Sequence, residues 1–577
     1  MHHVARGGTL QWLSFAVVVA AQLAPAPEAR ACGCLVMPDP SQPIVQAGER
    51  IVFAVKNSIV TAQIQIKYQG DPKDFGWLLP LPSLPTLELG SDELFSQLEA
   101  KTAPQFFLKT MFASNCGSSG GVGLGCASDG VASIRAPTAN GGAADMGQAH
   151  SALVVQDSIG PYYLGVLKAD NKDEMLNWLT ANHYLVPAGT DAVVAPYIHS
   201  GAYFLALKLK SGKSNGDIQP VVVHYASDLP MIPIVLTSVG ATPNMGIEVF
   251  VLGAGRAIPR NYNHTVLNDA ALDWNNFGQS YASLVNAAVL EAPKHHTFIT
   301  EFAGSTVVMQ NVLDPQGRFG DPSVLKTITD AEQYADYLRD HDFKYPFSGP
   351  LAAVLQAYLP EPAGFVDAGI SPSQFYGTLD QQLRWWRETK HQPPLAVDAA
   401  KLTDDIWARV VTPTLAAGAL FIPVNFPFMT RLFTTLSPAD MTEDPVFSFN
   451  PALPNVSNVH TATMQLDCNG DGLVTTPEGF QVPYPNAVAG PETKKISPSL
   501  RIETLTETGD PTIQVDNQHQ TLITLGQTNG CNVTLTTTNT TGSRTGARTR
   551  ARTGMLLLLT LSLTLAVRAR RKTPPNA

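Results

Sequence analysis

Ile51-Val52-Phe53-Ala54-Val55-Lys56-Asn57-Ser58-Ile59-Val60-Thr61-Ala62-Gln63-Ile64-Gln65-Ile66-Lys67-Tyr68 carries the clearest structural signal in this 577-residue chain. Val60, Ala62, Ile64, Ile66 and Tyr68 alternate with Thr61, Gln63, Gln65 and Lys67. Successive side chains of a strand point to opposite faces, so this period of two predicts a strand buried on one side. Ile51–Val55 lies just before it, across Lys56-Asn57-Ser58, and the two segments read as a hairpin. Working outward, Tyr203–Leu209, Val221–Tyr225, Ile232–Val239, Ile247–Leu252 and Thr297–Phe302 are also expected to be strands. Helices interleave with them. Asn171 and Glu174 form a cap-like pair ahead of Met175, Trp178 and Leu179, and Tyr281–Leu290 is apolar-periodic. Mixed in this way, strands and helices predict an α+β body over 32–310.

From 311 to 425 the period becomes helical. Thr329 and Glu332 have capping-box spacing, and Ser371-Pro372 opens a helix on which Tyr376, Leu379, Leu383 and Trp386 recur every three or four residues. That spacing turns Trp386 toward the core and leaves Trp385 at its edge; the alternative is a Trp pair that stacks on a sugar or peptide. Residues 426–535 read as a shorter β-rich segment. No repeat of 20–50 residues is visible.

The two ends predict an address. His2, His3 and Arg6 precede an apolar run from Leu10 to Leu23, followed by Ala29-Arg30-Ala31 and then Cys32. This is the layout of a signal peptide spanning 1–31. A lipid on Cys32 is the competing reading, although Ala29 stands where a lipobox favours a Leu-like residue. Toward the other end, a Thr/Arg-rich spacer (536–553) leads into the apolar stretch Met555–Val567 and then Arg568, Arg570, Arg571 and Lys572. Thirteen residues of helix reach about 20 Å, a short span that snorkelling arginines would assist. The layout resembles a bacterial sorting tail or a plain single-pass membrane anchor, with the basic cluster retained inside and the body outside.

Charge narrows the classes of partner. Residues 32–543 hold 28 basic and 47 acidic side chains, net −19. Such a body repels nucleic acid and anionic lipid, so nucleic-acid binding is excluded and calcium or a cationic partner fits better. Whether the partner is a protein or a glycan stays open. The six cysteines fall as Cys32/Cys34, Cys116/Cys126 and Cys468/Cys531, and in an exported chain they are expected to oxidise. Six cysteines allow fifteen connectivities, so this grouping leaves the pairing open. A Cys116–Cys126 bridge would close a short Gly/Ser loop and stabilise by roughly 2–3 kcal/mol.

The strongest motif is Asp467-Cys468-Asn469-Gly470-Asp471-Gly472-Leu473-Val474-Thr475-Thr476-Pro477-Glu478, which fits a calcium loop at every defined position. Calcium takes six to eight oxygens. Asp467, Asn469 and Asp471 would give side-chain oxygens, Leu473 its carbonyl, Thr475 a hydroxyl or a water, and Glu478 a bidentate carboxylate. Gly472 is expected to permit the turn. Against this reading stand extended rather than helical flanks and no partner loop; the alternative is a polar turn rich in Asn and Asp. Other matches fail on context. Gly117-Ser118-Ser119-Gly120-Gly121 has the nucleophile-elbow pattern, but no strand precedes it and no helix follows. Adjacent His295 and His296 point apart on a strand, which predicts a solvated pair rather than a metal site. No catalytic constellation emerges.

Several segments together resemble the bacterial exported family DUF2330: Ala47–Val55, Tyr68-Gln69-Gly70, Asp74-Phe75-Gly76-Trp77-Leu78-Leu79-Pro80-Leu81-Pro82, Gly160-Pro161-Tyr162, Ile258–Tyr262, Asp273-Trp274 and Thr300–Gly304. Arg431–Pro451 looks like an extension found in some members. The resemblance implies export, a Cys-led mature start and frequent envelope anchoring; it implies no reaction. The expectation is therefore an exported, envelope-anchored, non-catalytic structural or binding component with a calcium-stiffened loop, the alternative being an envelope hydrolase or other enzyme whose site is assembled from distant residues.

Overall fold

The computed structural model describes residues 45–526 apart from 70–75, 114–151, 169, 185–188, 211–216, 277, 314, 316 and 485–494. The expected leader, the Thr/Arg-rich spacer, the C-terminal apolar stretch, the Ser119 segment and every cysteine but Cys468 lie outside these residues. Among the described residues no helix is long and apolar enough to cross a membrane.

In chain order the strands are β1 (Val45–Lys56), β2 (Ile59–Gln69), β3 (Gly76–Leu81), β4 (Thr86–Leu89), β5 (Gln105–Phe112), β6 (Leu153–Ile159), β7 (Tyr162–Lys168), β8 (Tyr203–Leu209), β9 (Val221–Ala226), β10 (Ala241–Gly253), β11 (Arg256–Pro259), β12 (Asn263–Leu267), β13 (Thr297–Ser305), β14 (Phe428–Leu436), β15 (Phe447–Asn450), β16 (Val459–Leu466), β17 (Gly472–Thr475), β18 (Gln481–Tyr484), β19 (Ser499–Thr504) and β20 (Thr512–Asp516). Helices used below are α1 (Asp92–Thr102), α2 (Lys172–Ala181), α3 (Tyr281–Glu291), α4 (Ala331–Asp340), α5 (Gly349–Tyr358), α6 (Pro372–Gly377) and α7 (Leu379–Glu388). The fold is α+β.

The expected hairpin forms. β1 and β2 pair from Val45↔Gln69 to Lys56↔Ile59, and Asn57 and Ser58 take φ of 55° and 57°, the left-handed values of a two-residue turn. This hairpin lies inside a ten-stranded mixed sheet ordered β20-β19-β12-β13-β14-β10-β1-β2-β9-β4. β1 runs parallel to β10, and β14 lies antiparallel between β10 and β13. Segments on both sides of residue 425 thus share one sheet, in which β14 completes the centre and β19 and β20 extend one edge; β15 pairs with β11 in a separate two-stranded sheet.

Both faces of the sheet are covered, which explains why Ile51-Val52-Phe53-Ala54 reads as continuous apolar chain rather than an alternation. Ile51 and Phe53 meet a second sheet, β3-β8-β7-β6, through Trp77, Leu79, Leu164 and Leu207. Val52 and Ala54 meet Leu94, Phe95 and Leu98 of α1. A separate apolar cluster centred on Tyr334, Leu338, Phe365 and Leu402 holds the helical section together.

Local signals decide several caps. The Asn171 side chain accepts from the N–H groups of Asp173 and Glu174 at the start of α2, and Ser371 with Gln374 forms a complete capping box on α6. Three expectations shift. Asp330, not Thr329, caps α4, through the Gln333 N–H. The helix expected through Tyr376–Trp386 breaks at Thr378 into α6 and α7. Ile232–Val239 holds a helical turn at Ile234–Thr237 instead of a strand; an eight-residue apolar run does not separate a buried strand from a buried helix.

Candidate functional site

On the α1 face of the large sheet, adjacent strands place charged residues side by side. Arg50 of β1 registers with Glu248 of β10, and Phe250, two residues further on, registers with Arg431 of β14. The β13 ladder slips between Thr300 and Phe302, leaving Glu301 as an extra residue that turns toward Arg431. Arg431 Nε donates to Glu301 Oε2 at 2.6 Å, and Nη2 donates to Glu99 Oε2 at 3.0 Å and Glu248 Oε2 at 3.2 Å. Its Nη1 reaches the Thr102 hydroxyl at 3.2 Å, and its guanidinium lies 5.4 Å from the centre of the Phe250 ring. Arg50 adds longer contacts to Glu99 (3.5 Å) and Glu248 (3.7 Å). One buried cation therefore braces α1, β10, β13 and β14.

Three carboxylates against two guanidiniums leave this cluster one negative charge in excess. Burial pushes the Glu248 carboxyl up to about 7, against the pull of Arg431 and Arg50. Burial also raises Glu301, with Arg431 opposing. Burial works against the charge on Arg431, yet the surrounding carboxylates hold its affinity for the proton above the ordinary arginine value. Glu248 Oε1 is buried without a hydrogen bond among the described residues.

A second polar group adjoins the first. The Tyr281 hydroxyl of α3 donates to Glu301 Oε1 at 2.6 Å. Within electrostatic reach of Tyr281 is Asp269, whose Oδ2 lies 3.4 Å from His460 Nδ1 and whose carboxyl hydrogen-bonds that of Glu478. Burial and then the Asp269 charge push Glu478 up to about 8. Burial disfavours charge on His460, but the Asp269 hydrogen bond and charge outweigh it and keep the ring above its ordinary value. Phe106 of β5 stacks on His460 at 5.0 Å. With its carboxyl pushed up to about 8, Glu478 can take up or release a proton close to neutral pH.

The calcium-type motif is divided by its own hairpin. Asp467, Asn469 and Asp471 share the turn between β16 and β17, where Asp467 Oδ1 accepts from the N–H groups of Asn469 and Asp471, each at 2.9 Å. Leu473 and Thr475 lie along β17. Glu478 lies beyond that strand, in the turn leading to β18, about 13 Å of extended chain away. It accepts from Thr476 Oγ1 and faces Asp269. Among the described residues no group of three or more His, Cys, Asp or Glu is arranged to hold a metal. The turn's left-handed residue is Gly470 (φ +87°) rather than Gly472, which instead lets the backbone close up: a Cβ there would lie 2.3 Å from the Gln465 carbonyl oxygen.

The remaining candidates settle into packing. Trp386 stacks on Phe365 at 4.9 Å, and the Lys390 ammonium covers Trp385 at 4.9 Å. His296 is buried and stacked on Tyr262 at 4.4 Å, contrary to the solvated pair expected, while His295 Nδ1 meets Asp440 at 2.8 Å. The Arg431 brace and the Asp269–Glu478–His460 group had no sequence signature, because Arg431 lies 130 or more residues from each of its three carboxylates and Asp269 lies 191 residues from His460. The one local hint was Glu301 interrupting an apolar strand.

Compared with known proteins, residues 26–346 match the family described as an uncharacterized protein conserved in bacteria (DUF2330), and the chain belongs to that family. The match stops short of β14, so the sheet of the family region is completed by a strand from outside it. No curated protein and no solved structure matches the chain.

Proposed function

We propose that this DUF2330 member is exported and held at the cell envelope, where it acts as a non-catalytic structural or binding component facing outward. The observation that carries the non-catalytic part is Arg431: a cation able to stabilise a developing anion is already saturated by Glu301, Glu248 and Glu99. Export rests on the leader pattern ending at Ala31-Cys32 and anchoring on the Met555–Val567 stretch with its trailing basic cluster. A disulfide at Cys468 would suit an oxidising compartment. A calcium ion at the Asp467–Asp471 turn remains a proposal founded on the motif.

The test is expression of the full chain in a bacterial host, with fractionation and N-terminal sequencing. The expected result is an envelope-bound protein beginning at Cys32 that becomes soluble outside the membrane when 544–577 are deleted. A full chain that stays in the cytoplasm with Met1 intact refutes the proposal. The Asp269–Glu478–His460 group favours a second reading, an envelope hydrolase. Turnover of ester, glycoside or peptide substrates that Glu478→Gln abolishes would put that reading in its place.

A further inference from the structure

Between the two sheets lies a cavity of about 140 Å³, on the face of β1 opposite the Arg431 brace. Ile51 and Phe53 of β1 and Ile64 of β2 line it from the large sheet, and Leu79 and Leu81 of β3 from the smaller one. These last two belong to Trp77–Pro82, part of the segment most specific to the family resemblance. Interiors are otherwise close-packed, and an apolar void of this size is destabilising when empty. A cavity near 150 Å³ with Leu, Ile and Phe walls in another protein stays dry and admits benzene.

Two polar side chains give this cavity a chemical preference. Tyr225 of β9 lines it, is 7% exposed, and its hydroxyl makes no hydrogen bond among the described residues. Burial raises its affinity for its proton, so it presents an O–H donor. Glu49 of β1, 5% exposed, also lines the space and disfavours an anionic guest. Access is along Ser227, Met231 and Pro233, each only partly buried. The adjoining chain is pinned there, since Ser83 Oγ accepts from the Ala226 N–H at 2.8 Å.

We propose that this cavity binds a small neutral apolar molecule, a single ring or a chain of similar bulk, carrying one hydrogen-bond acceptor for the Tyr225 hydroxyl. The inference does not depend on export or on the absence of catalysis. It commits to two features: an apolar contact with Ile51, Phe53 and Leu79, and one hydrogen bond.

The experiment measures binding of cyclohexanone and of benzene to the full chain by calorimetry and ligand-observed NMR. Three proteins are compared: wild type, Tyr225→Phe and Ala62→Met. Ala62 is a wall residue, 1% exposed, and the longer thioether side chain placed there would fill the space. The expected result is millimolar or tighter binding of both probes to wild type, with cyclohexanone the tighter. Tyr225→Phe should weaken cyclohexanone about tenfold and leave benzene within twofold, the effect of one net hydrogen bond. Ala62→Met should lose both. Failure of both probes to bind wild type overturns the proposal, as does equal weakening of the two probes by Tyr225→Phe. That variant deletes one oxygen and keeps the ring, so it decides the matter even where Ala62→Met disturbs folding.

Discussion

Replacing Glu248 with Gln should stabilise the protein at pH 8 and leave it nearly unchanged at pH 4.5. Glu248 is 7% exposed in the middle of β10, with Oε2 bonded to Arg431 at 3.2 Å and Oε1 unpartnered. Burial moves its carboxyl from an ordinary 4.5 to about 7, with Arg431 and Arg50 opposing and Glu99 and Glu301 adding to the rise. An acid whose folded value exceeds its unfolded value holds its proton more tightly in the fold, so its stability contribution is complete below 4.5 and is lost as pH climbs through 7. At about 1.4 kcal/mol per tenfold change in proton affinity, a rise from 4.5 to about 7 amounts to roughly 3 kcal/mol by pH 8. Gln keeps an oxygen for Arg431 and has no charge to bury. Its amide still needs a partner, so the net gain at pH 8 should be about 1–3 kcal/mol. The assay is urea unfolding followed by tryptophan fluorescence, run on wild type and variant from pH 4.5 to 8.5. Burial raises Glu301 in both proteins, so the difference curve reports Glu248 together with its coupling to Glu301. Parallel profiles would refute the reasoning, as would a variant less stable than wild type by about 1 kcal/mol or more at pH 8.

Arg431→Met should cost about 3–5 kcal/mol at pH 8, because it strands buried carboxylates, and less at pH 5, where Glu248 and Glu301 can take up protons; the same unfolding series reads both. Asp269→Asn should lower the pKa of His460, since it removes the charge that outweighs burial and supports the imidazolium, and NMR titration of the ring protons measures the shift. Calcium at 5 mM should raise the thermal midpoint, with Asp471→Ala losing the effect and Glu478→Gln keeping it, because Glu478 already faces Asp269. Equal midpoints in calcium and chelator would remove the ion from the proposal.

Where a feature depends on neighbours within a few residues, the sequence discloses it. The β1–β2 hairpin follows from a period of two interrupted by a short polar turn, and the caps at Asn171 and Ser371 from one side chain and the N–H groups two or three residues ahead. Failures occur where local alternatives are nearly degenerate. Thr329 and Asp330 are both good caps one residue apart, and Ile232–Val239 suits a buried helix as well as a strand. At 467–478 the residues match a calcium loop one by one, while the pairing of β17 with β16 and β18 is decided by the fold.

Consecutive residues alone specify the α+β class, the hairpin, the helical middle section and the family, because side-chain period and short-range hydrogen bonds are written in neighbouring positions. Which strands become neighbours is settled only when the chain is folded. Arg431 meets Glu301, Glu248 and Glu99 across 130, 183 and 332 residues, and no local pattern encodes which face of which strand it will share. The period of two assigns a residue to a face; the partner across that face is fixed by which sheet order buries the apolar side of every strand at once.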